Sequence, residues 1–158
     1  NIPSPGQTLD EVNLLAETMP ASQIEGLRKE VAARTSSGDT PNALFELHCR
    51  NLKKIHDAGM VIGMGTDATG DGFGAHEQIA WYVGCGLTAA EAIVAATGTN
   101  ARILGMNRLG VMAAGKEASF NVLDANPLDT ITNTRRIARV YLRGKEVDRQ
   151  GLRAKWTK

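Results

Sequence analysis

Gly59-Met-Val-Ile-Gly-Met-Gly-Thr-Asp67-Ala-Thr-Gly-Asp-Gly-Phe-Gly-Ala-His76-Glu77 is the stretch on which the reading of this chain turns. The apolar run from Met60 to Met64 is short, partly β-branched and closed by Gly65, which predicts a buried strand. Asp67 falls where that strand should give out, and Gly70, Gly72 and Gly74 forbid a regular element until a helix can begin near His76. A buried strand that delivers a carboxylate to its carboxyl edge, under a loop open enough for a ligand, is how α/β enzymes place catalytic groups.

Residue type alone leaves three readings of Asp67. It can be a carboxylate at a sheet or barrel mouth that binds a metal or moves a proton. It can be a turn former that caps its own backbone. It can belong to a dinucleotide loop, since Gly70 to Ala75 and Gly63 to Ala68 both fit G-x-G-x-x-A. The loop reading is the weakest, because Asp67 and Asp71 would set negative charge beside a pyrophosphate and no helix follows either glycine set at once.

At 158 residues the chain can bury a core of its own, roughly 70% of the surface its unfolded form exposes. Its 18 basic and 17 acidic residues leave a net charge of +1, so no field steers it to nucleic acid or an anionic membrane. No apolar stretch approaches a membrane span, and the polar start is no signal peptide. A soluble, cytoplasmic protein is the expectation. Cys49 and Cys85 lack CxxC spacing and can be a disulfide or two free thiols; in a chain with its own core, free thiols are the expectation.

Around the central stretch the pattern is helical. Thr8 with Glu11 forms a capping box ahead of Val12, Leu15, Ala16 and Met19, and Pro20 stops that helix. Ser22 with Glu25 repeats the signature ahead of Ile24, Leu27 and Val31. A helix from Pro41 to about Ala58 puts Leu44, Leu47, Leu52 and Ile55 on one face, with Gly59 as its stop. His48 shares that face and reads as a packed core residue, while His56 suits the negative end of the helix dipole. After the loop, a helix runs from His76 to about Gly86. Thr88 with Glu91 caps another that reaches Ala96, and Asn100 caps a last short one ended by Gly105. From Leu109 the period becomes strand-like, with strands at Ser119 to Leu123, Ile137 to Leu142 and Glu146-Val147.

Ordered motifs then agree within a span of nearly 100 residues, from about Leu52 to Arg149. They are Gly65-Thr66-Asp67-Ala68, His76-Glu77, Leu87-Thr88, Glu91-Ala92, Ala95-Ala96-Thr97, Asn100-Ala101-Arg102, Leu104-Gly105, Gly110, Gly115-Lys116, Val122-Leu123-Asp124, Asn126-Pro127-Leu128 and Val140. In these the chain resembles the carboxyl-terminal part of a metal-dependent amidohydrolase, of the imidazolonepropionase-like and Xaa-Pro dipeptidase-like branch. The resemblance implies an α/β fold: the C-terminal portion of a (β/α)8 barrel over residues 1–108, with strands of the flanking β-sandwich over 109–158. It implies that residues 60–67 are the eighth barrel strand and that Asp67 is both metal ligand and proton carrier. His76 either contacts substrate or orients its loop.

The implied function is metal-assisted hydrolysis of a C–N bond in a small amide, dipeptide or cyclic amide. A divalent metal, zinc being the expected ion, serves the complete protein, and this chain by itself is expected to hold none. The family's His-x-His, its strand-four lysine or acid and its further histidines have no counterparts among His48, His56 and His76. Inactivity of the isolated chain follows, and so does a partner: a second copy or a complementing N-terminal barrel chain. The alternative is a non-catalytic module that assembles through its open edge. Either of two findings would remove the hydrolase reading: an Asp67 side chain turned from the mouth of the fold, or a Met60–Met64 segment unpaired on both sides.

Overall fold

A computed structural model describes residues 19–37, 43–66 and 74–156. The chain divides into two compact units, Asn1–Leu47 with Asp148–Lys158, and His48–Val147. The capping box at Thr8 and the helix stop before Pro20 lie outside the described residues, apart from Met19.

In the first unit, α1 spans Ala21–Ser37 and buries Ile24 and Val31, the stripe expected from their spacing. The carboxyl-terminal helix Arg149–Trp156 also belongs here. No described helix is long and apolar enough to cross a membrane.

Helix α2, Ala43–Asp57, ends as the sequence predicts. Gly59 takes a φ of +75°, which glycine adopts without a Cβ clash. Its N–H meets the His56 carbonyl at 2.9 Å and the Met60 N–H meets the Ile55 carbonyl at 3.2 Å, the paired bonds of a Schellman stop. The face assignment fails, however. His48 is exposed, as are Leu44, Leu47 and Ile55, and the buried residue of α2 is Cys49. Apolar spacing defined a stripe on the helix, but covering a stripe takes a neighbouring element, which spacing does not supply.

Cys49 is buried because it is bonded to Cys85, 36 residues on, with the two Cα atoms 4.6 Å apart. This corrects the expectation of free thiols: the geometry that joins two cysteines is set by how α2 meets the end of the next helix.

Helix α3, Gly74–Gly84, is followed by α4, Ala89–Val94. The predicted capping box is present: the Glu91 N–H donates to Thr88 Oγ1 at 3.2 Å, and the Thr88 N–H donates to Glu91 Oε2 at 2.7 Å. The break expected at Thr97 to Asn100 is absent. A π-helical turn over Ala95–Thr99 carries α4 straight into α5, Asn100–Ile103. Tyr82, Leu87, Ala92 and Ala95 form the core here, with Leu52, Ile62, Met64, Ile79 and Val83 packed against them.

The last part of this unit is a three-stranded antiparallel sheet of β1 (Phe120–Leu123), β2 (Ile137–Leu142) and β3 (Lys145–Glu146). Phe120 faces Tyr141 across the first pair, their rings stacked with centroids 4.9 Å apart. Arg143 and Gly144 both have positive φ, 52° and 79°, as a two-residue hairpin turn requires. A short 3-10 helix, Ile131–Arg135, precedes β2.

The predicted strand at Met60 to Met64 is the largest correction. Residues 60–66 belong to no helix or strand, and Met60 and Val61 are 62% and 60% exposed. A strand is a pairing as much as a composition, and no described strand pairs with this segment.

Candidate functional site

The segment that leads to Asp67 is held by side chains in place of a neighbouring strand. Asn100 Oδ1 accepts from the Met64 N–H at 2.7 Å, and Asn100 Nδ2 donates to the Met64 carbonyl at 2.7 Å. One amide thus makes both bonds that a strand neighbour would have made to that residue. One position earlier, the Tyr82 hydroxyl donates to the Gly63 carbonyl at 2.8 Å. Tyr82 is buried, and burial pushes its phenol above the ordinary range, so it stays a donor at any physiological pH. Gly63 is required by this clamp, because a Cβ there would stand 2.5 Å from Asn100 Oδ1 and 2.8 Å from Ile103 Cδ1. The sequence reading made Asn100 a helix cap; the structure makes it the anchor of the segment.

Asp67 itself lies outside the described residues, as do residues 68–73. His76 is in the first turn of α3, half-buried, with Nδ1 3.2 Å from Thr134 Oγ1. Thr134 is buried in the 3-10 helix, and its hydroxyl donates to the Ile131 carbonyl at 2.9 Å. Burial first, and the positive charge of Arg135 second, hold the His76 imidazole below the usual histidine range. The structure therefore joins His76 to Thr134, 58 residues away, a pairing with no signal in the sequence. His56 lies elsewhere, with Nε2 3.4 Å from a Glu91 carboxylate oxygen. A groove of about 370 Å³ beside it is lined by His56, Met60, Val61, Glu91, Val94 and Arg102 among others. It borders the start of the segment, whereas Asp67 follows its end.

Among the described residues no group of three or more His, Cys, Asp or Glu is placed to hold a metal ion. These residues do not by themselves make a metal site.

The amidohydrolase family model matches residues 3–147. The chain belongs to the amidohydrolase family. Similar solved structures include molinate hydrolase, 27% identical with a TM-score of 0.59, over 66% of this chain and 27% of that one. Phenylurea hydrolase B is 29% identical with a TM-score of 0.57, over 64% of this chain and 27% of that one. A prolidase complexed with N-methylphosphonate-L-proline is 28% identical with a TM-score of 0.55, over 89% of this chain and 33% of that one. No curated protein matches. This amidohydrolase chain thus spans about a quarter to a third of the length of the solved structures it resembles. The Met60–Met64 segment pairs with no described strand, yet the family match over residues 3–147 holds, so strand pairing at that segment is too strict a condition for the assignment.

Proposed function

We propose that the chain is the carboxyl-terminal part of an amidohydrolase that hydrolyses a C–N bond in a small amide, dipeptide or cyclic-amide substrate. The observation that carries this is the family match over residues 3–147. Resemblance to molinate and phenylurea hydrolases and to a prolidase supports a small-molecule or dipeptide substrate. Residues 1–108 would belong to the barrel and 109–158 to the flanking sandwich, with residues 60–67 as the last barrel strand.

Asp67 is the one catalytic residue proposed here. Its carboxylate takes a proton from the attacking water and returns it to the leaving nitrogen, a transfer that contributes roughly 10² to 10⁴ in rate. His76 contacts the substrate from the first turn of α3. Asp67 is also the chain's one proposed ligand to a divalent ion, zinc by preference. The other ligands would come from outside the described residues, among which none form such a group.

The isolated chain is then inactive, and its exposed apolar side chains favour a partner. Met60, Val61, Ile103 and Leu104 are 55% to 66% exposed and would be the apolar side chains for such a partner to cover. A complementing amino-terminal barrel chain is the proposed partner; self-assembly without catalysis is the second reading, favoured by the same exposure. The Cys49–Cys85 bond weighs against a cytoplasmic setting, because reducing compartments keep such thiols open.

Mixing with an amino-terminal barrel fragment tests the proposal. Amide hydrolysis should appear in the mixture and fall at least about a hundredfold in Asp67→Asn. Full activity in that variant would remove Asp67 from the mechanism, and a homogeneous self-assembled oligomer with no activity in any mixture would favour the second reading.

A further inference from the structure

Two distances fix where the protons lie around His76. Thr134 Oγ1 is 2.9 Å from the Ile131 carbonyl oxygen and 3.2 Å from His76 Nδ1. A carbonyl can only accept, so the single hydroxyl proton of Thr134 is committed to Ile131. What remains on Thr134 Oγ1 for the imidazole is a lone pair, and Nδ1 must carry the hydrogen in that contact. Burial, reinforced by Arg135, keeps the ring neutral at physiological pH. A neutral imidazole bears one N–H, and with that hydrogen on Nδ1 the other nitrogen is an acceptor.

We infer that Thr134 is a positioning residue that holds His76 as its Nδ1–H tautomer, so that His76 meets its ligand through Nε2 as the acceptor of an N–H or O–H group. This deepens the proposed substrate contact of His76 and rests on it for the ligand, while the tautomer stands on the Thr134 geometry in a neutral ring. It has a consequence for specificity. A substrate amide N–H, ammonium or hydroxyl finds a partner in Nε2, whereas a carboxylate or carbonyl oxygen does not. The arrangement also gives the 3-10 helix before β2 a share in the site, although it lies 58 residues from His76 in sequence.

Nitrogen-15 spectra of the histidine-labelled chain at about pH 8, where the ring is neutral, read the tautomer directly, with His76→Asn identifying its signals. Wild-type His76 should be mainly Nδ1–H, and Thr134→Ser, which keeps the hydroxyl, should preserve that. Thr134→Val keeps the shape and removes the acceptor, so the ratio should move toward Nε2–H by about fivefold, the worth of one net hydrogen bond. A wild-type ring that is mainly Nε2–H, or a ratio unmoved in a folded Thr134→Val chain, overturns the inference. Should that variant not fold, the wild-type and Thr134→Ser spectra still decide it. Loss of the hydrolase reading would appear only as inactive mixtures, with these spectra unchanged.

Discussion

Met60–Met64 and Ile137–Leu142 both read as strands, short, partly β-branched and soon followed by glycine, the first without a charged residue and the second interrupted by Arg139. The second is the middle strand of a three-stranded sheet, with β1 on one side and β3 on the other. The first joins no sheet; at its end the Asn100 amide meets the Met64 N–H and carbonyl, and the Tyr82 hydroxyl meets the Gly63 carbonyl. The contrast separates two properties that composition merges. Local preference makes a segment fit for pairing; only a neighbour within reach makes it a strand. For Ile137–Leu142 that neighbour arrives through a two-residue turn, at almost no entropic cost, whereas for Met60–Met64 the substitute comes from a helix 36 residues away.

The contrast can be broken most severely at the Cys49–Cys85 bond. It closes a loop of 36 residues that contains the whole 60–66 segment, and the chain-entropy argument assigns such a loop about 4 kcal/mol. Denaturant unfolding of the Cys49→Ser, Cys85→Ser double variant should lose stability of that order. Hydrogen exchange should rise first around Met64 and last in β1 and β2; uniform loss across both regions would deny that they differ in what holds them.

A smaller effect is expected at the clamp. Asn100→Ala removes both bonds to Met64, which at about 1 kcal/mol each amounts to roughly 2 kcal/mol in unfolding free energy. The Met64 amide should exchange faster while those of Val122 and Val140 keep their rates. Equal protection of Met64 in the variant would mean that some other group satisfies the segment.

The least effect is the pH dependence from His76. Its folded pKa lies below the ordinary 6.5, so the unfolded chain takes up the proton more readily. That contribution to stability is fully present above about pH 6.5 and is lost as pH falls through the folded value. Melting temperatures followed downward from neutral pH should decline less steeply in His76→Gln. Identical slopes would remove His76 as the cause.

What could be read from the chain depended on distance along it. The Thr88–Glu91 box and the Gly59 stop each involve partners within a few residues, and each is present. The same local logic misjudged His48, assigned to a core that its face does not meet, and Asn100, assigned to a cap when its amide bonds reach Met64. Asp67 was singled out by position at the end of an apolar run before an open loop, and it remains a proposal because it lies outside the described residues.

Sequence by itself determined the family, through ordered motifs that agree from Gly65 to Val140, and the local elements, since capping, turns and helix stops are short-range bonds encoded where they act. Tertiary structure alone decided that Cys49 meets Cys85, that Asn100 holds Met64 and that Thr134 meets His76. Each of those contacts spans at least 36 residues, and whether two such distant groups come within bonding reach depends on the packing of every element between them, which no local pattern records.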